Sequence, residues 1–272
     1  MKPVVCWLRR VSSLAALVLG AGCSSPTEST GVGNPSLTLA LVTDERAEPT
    51  LVGAGGGSGT DVEVDAGEDE GLQSSAVHQA ILVFGGLRLL PCDPALPPTV
   101  VPGRFVVDLK RQTTEPELPA IPGVSGGYCE IDVPLVRATA PAEIAGTSIY
   151  FAGERSDGTE FILYADVRAV LRLRATPGGA WDPERTPHLL WAFRPRRWLL
   201  RQELESAAAT LDEDGARVIV IDIDRHPLLF RAIKARIAGR SSLHLDRDND
   251  GVLDEDERDS SALLGQGLED TE

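Results

Sequence analysis

Lysine is nearly missing from this chain: of its 26 basic residues only Lys2, Lys110 and Lys234 are lysines. That preference for arginine carries no functional information, but other scarcities exclude whole chemistries. The four histidines, His78, His188, His226 and His244, form no HExxH motif and no paired spacing, so a helix-borne zinc site is excluded. No CxxC occurs among the four cysteines, which removes the usual redox-active dithiol. The glycine run GAGGGSG has no Lys-Ser or Lys-Thr after it and an acidic stretch beyond it, so it does not cradle phosphate. GVSGG (Gly123 to Gly127) matches G-x-S-x-G in letters only. A nucleophile elbow needs a strand before the serine and a helix after it, whereas LPAIP precedes and the strand-like YCEIDV follows. Carboxylates are plentiful, but no pair stands out as a general acid and base.

What is present starts at the N-terminus. Lys2, Arg9 and Arg10 form a positive region, and Val11 to Leu19 form an apolar core of nine residues. That is too short to span a bilayer, which takes about 20 residues, and small residues then lead into Cys23. Residues 1–22 therefore read as a removable export signal. Through LGAGC (Leu19 to Cys23) the chain resembles a bacterial lipoprotein precursor, although Leu19 lies one place further back than the family's usual box. The resemblance implies cleavage before Cys23, a diacylglycerol on its thiol, a lipid anchor in the membrane, and, from Ser24, delivery to the outer membrane. Two or more acyl chains hold such a protein stably.

Loss of residues 1–22 leaves 23 basic against 41 acidic residues, a net charge of −18. A charge of that sign excludes nucleic acid as a partner and opposes electrostatic adhesion to anionic lipid. With Cys6 in the signal and Cys23 assigned to the lipid, Cys92 and Cys129 remain, and in an exported protein they are expected to form a disulfide. In GYCEIDVPLV the alternation puts Cys129, Ile131 and Val133 on one face, directed into a core.

Residues 23–35 are polar and rich in Gly and Pro, a tether away from the membrane. Residues 36–73 hold a first strand, SLTLALVT, followed by an acidic, glycine-rich linker or loop. From 74 to 224 the chain is rich in β-branched and aromatic residues broken by Gly, Pro and Asp, and the SDGT stretch (Ser156 to Thr159) is a hairpin signal. Leu171 and Leu173 alternate with Arg172 and Arg174, giving a buried and a wet face. Short strands without regular strand–helix alternation predict a mainly β fold, an antiparallel sandwich or barrel-like domain. RQELESAAATL is a short helix candidate, and ARVIVIDID reads as a strand entered through the Asp214-Gly215 turn. Residues 225–272 add HPLLFRAIKARIAG, a helix with Leu229, Ile233 and Ile237 along one stripe.

The strongest chemical signal is LDRDNDGVLDEDERD. With Asp246 at position 1, Asp248, Asp250, the Val252 carbonyl, Asp254 and Glu257 fall at positions 3, 5, 7, 9 and 12 of an EF-hand loop. Gly251 takes position 6 and the apolar Leu253 position 8. The stretch resembles the loops of EF-hands, dockerins and thrombospondin type 3 repeats, which implies calcium as the ion. The flanks are unlike an EF-hand's: AGRSSLHL ends the entering helix at Gly239, and no second loop exists, since aligning Gly215 puts Thr210 and Ile221 at positions 1 and 12. A structural ion rather than a sensor follows, and His244 beside the loop reads as a bystander because calcium prefers oxygen. The functional expectation is a non-enzymatic cell-envelope lipoprotein with an envelope protein or glycan as partner. Its alternatives are a calcium-dependent adhesion or glycan-binding module using Trp181, Trp191 or Trp198, and an exported hydrolase.

Overall fold

A run such as HLLWAF, apolar at nearly every position, needs cover on both faces, and the architecture supplies it. The computed structural model describes residues 35–44, 72, 76–259 and 262–268. The signal segment, Cys23, the tether up to residue 34 and most of the acidic linker lie outside the described residues. The elements are β1 (Ser36–Thr43), β2 (Val77–Phe84), β3 (Leu87–Pro91), β4 (Thr99–Val101), β5 (Phe105–Asp108), β6 (Thr113–Glu115), β7 (Ile121–Pro122) and β8 (Tyr128–Pro134). They continue with β9 (Ile149–Glu154), β10 (Glu160–Ala165), β11 (Val170–Ala175), β12 (His188–Phe193), α1 (Arg201–Ser206), β13 (Thr210–Leu211) and β14 (Arg217–Ile221). The chain then forms α2 (Pro227–Gly239), β15 (Ser241–Leu245) and β16 (Leu263–Leu268).

The fold is mainly β, as the strand texture predicts. Nine strands make one sheet in the order β4-β3-β8-β11-β16-β15-β12-β1-β7, and seven make another in the order β13-β14-β10-β9-β2-β5-β6. Both sheets are mixed rather than purely antiparallel: β1 runs parallel to β12, and β10 parallel to β14. Each parallel pair joins strands far apart in sequence, where a long connection replaces the tight hairpin that forces antiparallel pairing. The predicted hairpin at Ser156 to Thr159 is present between β9 and β10. Strands β1, β15 and β16, which flank the 74–224 span on both sides, belong to the same sheet as its strands.

The sheets pack face to face over one core. Leu37, Leu39 and Leu41 of β1, Trp191 and Phe193 of β12, Phe84 of β2, Phe151 of β9 and Phe161 of β10 all belong to it. Phe84 stacks on Trp191 across the gap with ring centroids 5.8 Å apart. The chain passes between the sheets at Gly85-Gly86, where Gly86 has φ +103° and a Cβ would stand 2.6 Å from the Val101 carbonyl oxygen. No other residue fits there. Helix α2 packs against β14 of one sheet and β11 and β16 of the other, with Ile233 and Ile237 buried. Arg236 on α2 fastens α1 by two bonds to the Glu203 carboxylate, at 2.6 and 2.8 Å. Along the outer face of the large sheet, Arg88, Arg172 and Arg174 alternate with Glu130 and Asp132 in a ladder of ion pairs.

Cys92 and Cys129 are bridged, with Cα atoms 4.9 Å apart. The expected inward alternation of Cys129 does not hold. The register slips between Leu90 and Pro91, which face Glu130 and Tyr128. Cys129 is the extra residue of a bulge, half-buried, and Tyr128 takes the core position. The bridge closes a sequence separation of 37 residues. Replacing both cysteines by alanine is expected to lower unfolding free energy by about 4 kcal/mol, read as a reduced urea midpoint.

Candidate metal centre

Strand β15 delivers the acidic loop to the outer face of the large sheet. Leu245 N–H donates to the Ala262 carbonyl at 3.0 Å, and Asp246 N–H donates to the His188 carbonyl at 3.1 Å, so both ends of the loop are pinned to sheet backbone. The loop therefore runs from strand to strand, not from helix to helix. Within it Asn249 and Gly251 both have positive φ, 60° and 73°. Gly251 N–H and Asn249 N–H donate to the two oxygens of Asp246, at 3.2 and 2.6 Å. Each short acidic side chain thereby takes up a backbone donor that the tight turn leaves without a partner.

Of the ligand positions read from the sequence, the structure brings Asp246, Asp248 and Asp250 together: one carboxylate oxygen from each lies within 4.8 Å of the others. Asp246 is 6% exposed, whereas Asp248 and Asp250 are exposed. Asp254 and Glu257 are not in that cluster. Asp254 Oδ1 accepts from Asp256 N–H and Glu257 N–H at 2.9 and 3.1 Å. Glu257, 1% exposed, accepts from Arg247 N–H at 2.6 Å and Asp254 N–H at 3.3 Å, tying the loop's entrance to its exit. Burial pushes the Glu257 carboxyl above its ordinary range; the two N–H donors oppose this, and the charges of Asp246 and Asp254 reinforce it. An all-oxygen donor set with this excess of negative charge suits a hard divalent cation.

Three contacts seat the loop, of which sequence reasoning anticipated only an apolar role for Leu253. Leu253 at position 8 is 3% exposed and packs on Val42, Leu190 and Ala192, the outward side chains of β1 and β12. His244 has a structural role: it is buried, with Nδ1 2.9 Å from the Glu257 carbonyl and Nε2 2.8 Å from Ser242 Oγ. A carbonyl only accepts, so Nδ1 carries the proton and Nε2 accepts from the serine. Burial holds the His244 pKa below its usual value, keeping that neutral tautomer. Asp44, at the end of β1 and 7% exposed, accepts from Arg194 Nε at 3.0 Å and from Arg258 Nε at 3.2 Å. Beyond the position-8 assignment of Leu253, the alternation of SSLHL, which sets His244 and Leu243 on opposite faces, was the local signal for these contacts.

Other sequence candidates fare differently. Trp181, Trp191 and Trp198 are fully buried, so they supply no exposed aromatic platform for a sugar. GVSGG lies in a turn between β7 and β8, with no helix after Ser125. A groove of about 350 Å³ beside α1 and the start of α2 includes Glu203 and His226. There burial raises the Glu203 pKa, yet the Arg236 and Leu200 N–H donors outweigh it and leave a net lowering, the opposite of a general acid's requirement. Comparison with protein-family models, with curated proteins and with solved structures yields no match.

A Cβ added at Gly251 meets nothing within 4 Å, so a methyl there tests backbone strain alone. Gly251→Ala is expected to cost about 1–2 kcal/mol in chemical denaturation with chelator present.

Proposed function

We propose that this chain is a non-enzymatic lipoprotein of the cell envelope, held at the outer membrane through Cys23. Its β-sandwich serves in binding or structural support there, and its C-terminal loop takes one calcium ion as a structural clip. The ligands are Asp246, Asp248, Asp250, the Val252 carbonyl, Asp254 and Glu257. The observation that carries the calcium reading is the convergence of three aspartates within 4.8 Å, on a loop whose apolar position is already seated on the sheet. Charges so close repel one another, and a divalent cation among them turns that repulsion into attraction. Asp254 and Glu257 enter the set by exchanging backbone donors for the ion. The ordinary value for extracellular loops of this kind is a dissociation constant of about 10⁻⁴–10⁻³ M, which suits an ion that stays bound rather than one that signals.

Isothermal titration of the purified chain is expected to give one binding event in that range, abolished in the Asp246→Ala/Glu257→Ala variant. Absence of heat from the wild type at several millimolar calcium would reject the site. For the anchor, cells producing the full chain are expected to incorporate labelled palmitate into it. Cys23→Ala is expected to take up none, and retention of label by that variant would rule the assignment out.

A further inference from the structure

We infer that the loop is a calcium-operated latch on β1, an inference that rests on the calcium reading above. Strand β1 is framed unequally. Toward β12 it pairs from Thr38 to Thr43, while toward β7 only Ser36 and Leu37 have partners. Its inner side chains Leu37, Leu39 and Leu41 enter the core. Its outer side is covered by the loop: Val42 lies beneath Leu253, together with Leu190 and Ala192. Just past the strand's end, Asp44 bonds to Arg258, and Arg194 shares the same carboxylate. Gln112 Nε2 adds a bond to Thr43 Oγ1 at 3.2 Å from the small sheet's side.

The two latch residues are interleaved with the ligand positions. Leu253 lies between Val252 and Asp254, and Arg258 directly follows Glu257. The backbone that must close around the ion is therefore the backbone that presses Leu253 onto Val42 and aims Arg258 at Asp44. Without the ion, repulsion among Asp246, Asp248 and Asp250 favours an opened loop, and an opened loop withdraws both contacts. The strand end, which beyond Leu37 has a strand partner on the β12 side alone among the described residues, then exchanges with solvent as a local unit. With the ion bound, the loop closes and the strand end is held. Binding free energies are reciprocal, so whatever loosens β1 must also weaken the site.

Hydrogen exchange read by mass spectrometry on the intact chain tests this, with about 10 mM calcium, a saturating level for such loops, against chelator. Amides from Leu39 to Asp44 are expected to exchange about 5-fold slower or more with calcium. In Leu253→Ala the slowing within residues 246–257 is expected to persist while that in β1 disappears. Asp44→Asn, which alters no ligand, is expected to weaken calcium affinity by about 5-fold in titration. Calcium heat accompanied by unchanged β1 exchange overturns the latch and leaves the site standing, as does an unchanged affinity in Asp44→Asn. Absence of calcium heat in the wild type removes both.

Discussion

The structure depends on one constraint: strand β12 is apolar on both faces and must be covered twice. Its inner residues Leu189, Trp191 and Phe193 are covered by the small sheet, with the Phe84–Trp191 stack as the central contact. Its outer residues Leu190 and Ala192 are covered by Leu253 from the acidic loop. Burying side chains of this size contributes about 1.5–3 kcal/mol each, so neither cover is dispensable. A strand buried on both faces has no room for the polar alternation that solvates an antiparallel edge, which is why it reads as a continuous hydrophobic run. It sits between the parallel β1 and the antiparallel β15 because both neighbours are themselves needed to bring covers into place. β15 leads directly into the loop that closes the outer face.

The electrostatics follow the same arrangement. An acidic chain places its densest carboxylates on the outside of its most apolar strand, so the two must be reconciled at close range. Backbone N–H groups do most of this work, donating to Asp246, Asp254 and Glu257, while Arg194 and Arg258 converge on Asp44. His244 stays neutral there, which avoids placing a buried cation against Arg194 and Arg258. The arginine ladder over β3, β8 and β11 is a separate device. Its arginines are partly to largely exposed over more sheltered carboxylates, so solvent screens the pairs and each contributes modest stability.

Local patterns in the sequence were easier to read than the relations between them. The alternation of LRLR, the Asp-Gly hairpin, the Leu229–Ile233–Ile237 stripe and the pairing of Cys92 with Cys129 each depend on neighbours or on elimination, and each was legible. The convergence of Asp246, Asp248 and Asp250 was legible because they alternate within five residues. The parallel pairs were not, since nothing local in SLTLALVT says that it lies beside HLLWAF. The bulge at Cys129 was hidden because strand alternation assumes an unbroken register, and a one-residue insertion moves the next side chain to the other face. Asp44 escaped notice for a similar reason: it meets Arg194 from 150 residues away and Arg258 from 214. LLGQGL, with two glycines in six residues, carries almost no strand signal of its own. It becomes β16 because β11 and β15 leave a gap between them.

The parallel pairing of β1 with β12 also sets the order in which the chain can assemble. Thr38 and His188 meet across 150 residues, so the first strand of the described chain has no sheet to join until nearly all the others exist. Part of the small sheet can form early, because β9 and β10 close through a tight turn and β2 needs only β5 and β9, whereas β13 and β14 follow β12 in the chain. The large sheet cannot be completed until β12, β15 and the acidic loop have followed. Non-local closures of this kind are slow, and until they occur the inner leucines of β1 remain exposed to whatever else the unfolded chain meets. The first strand of the described residues is therefore among the last to find its place, and folding has to wait for strands that follow far along the chain.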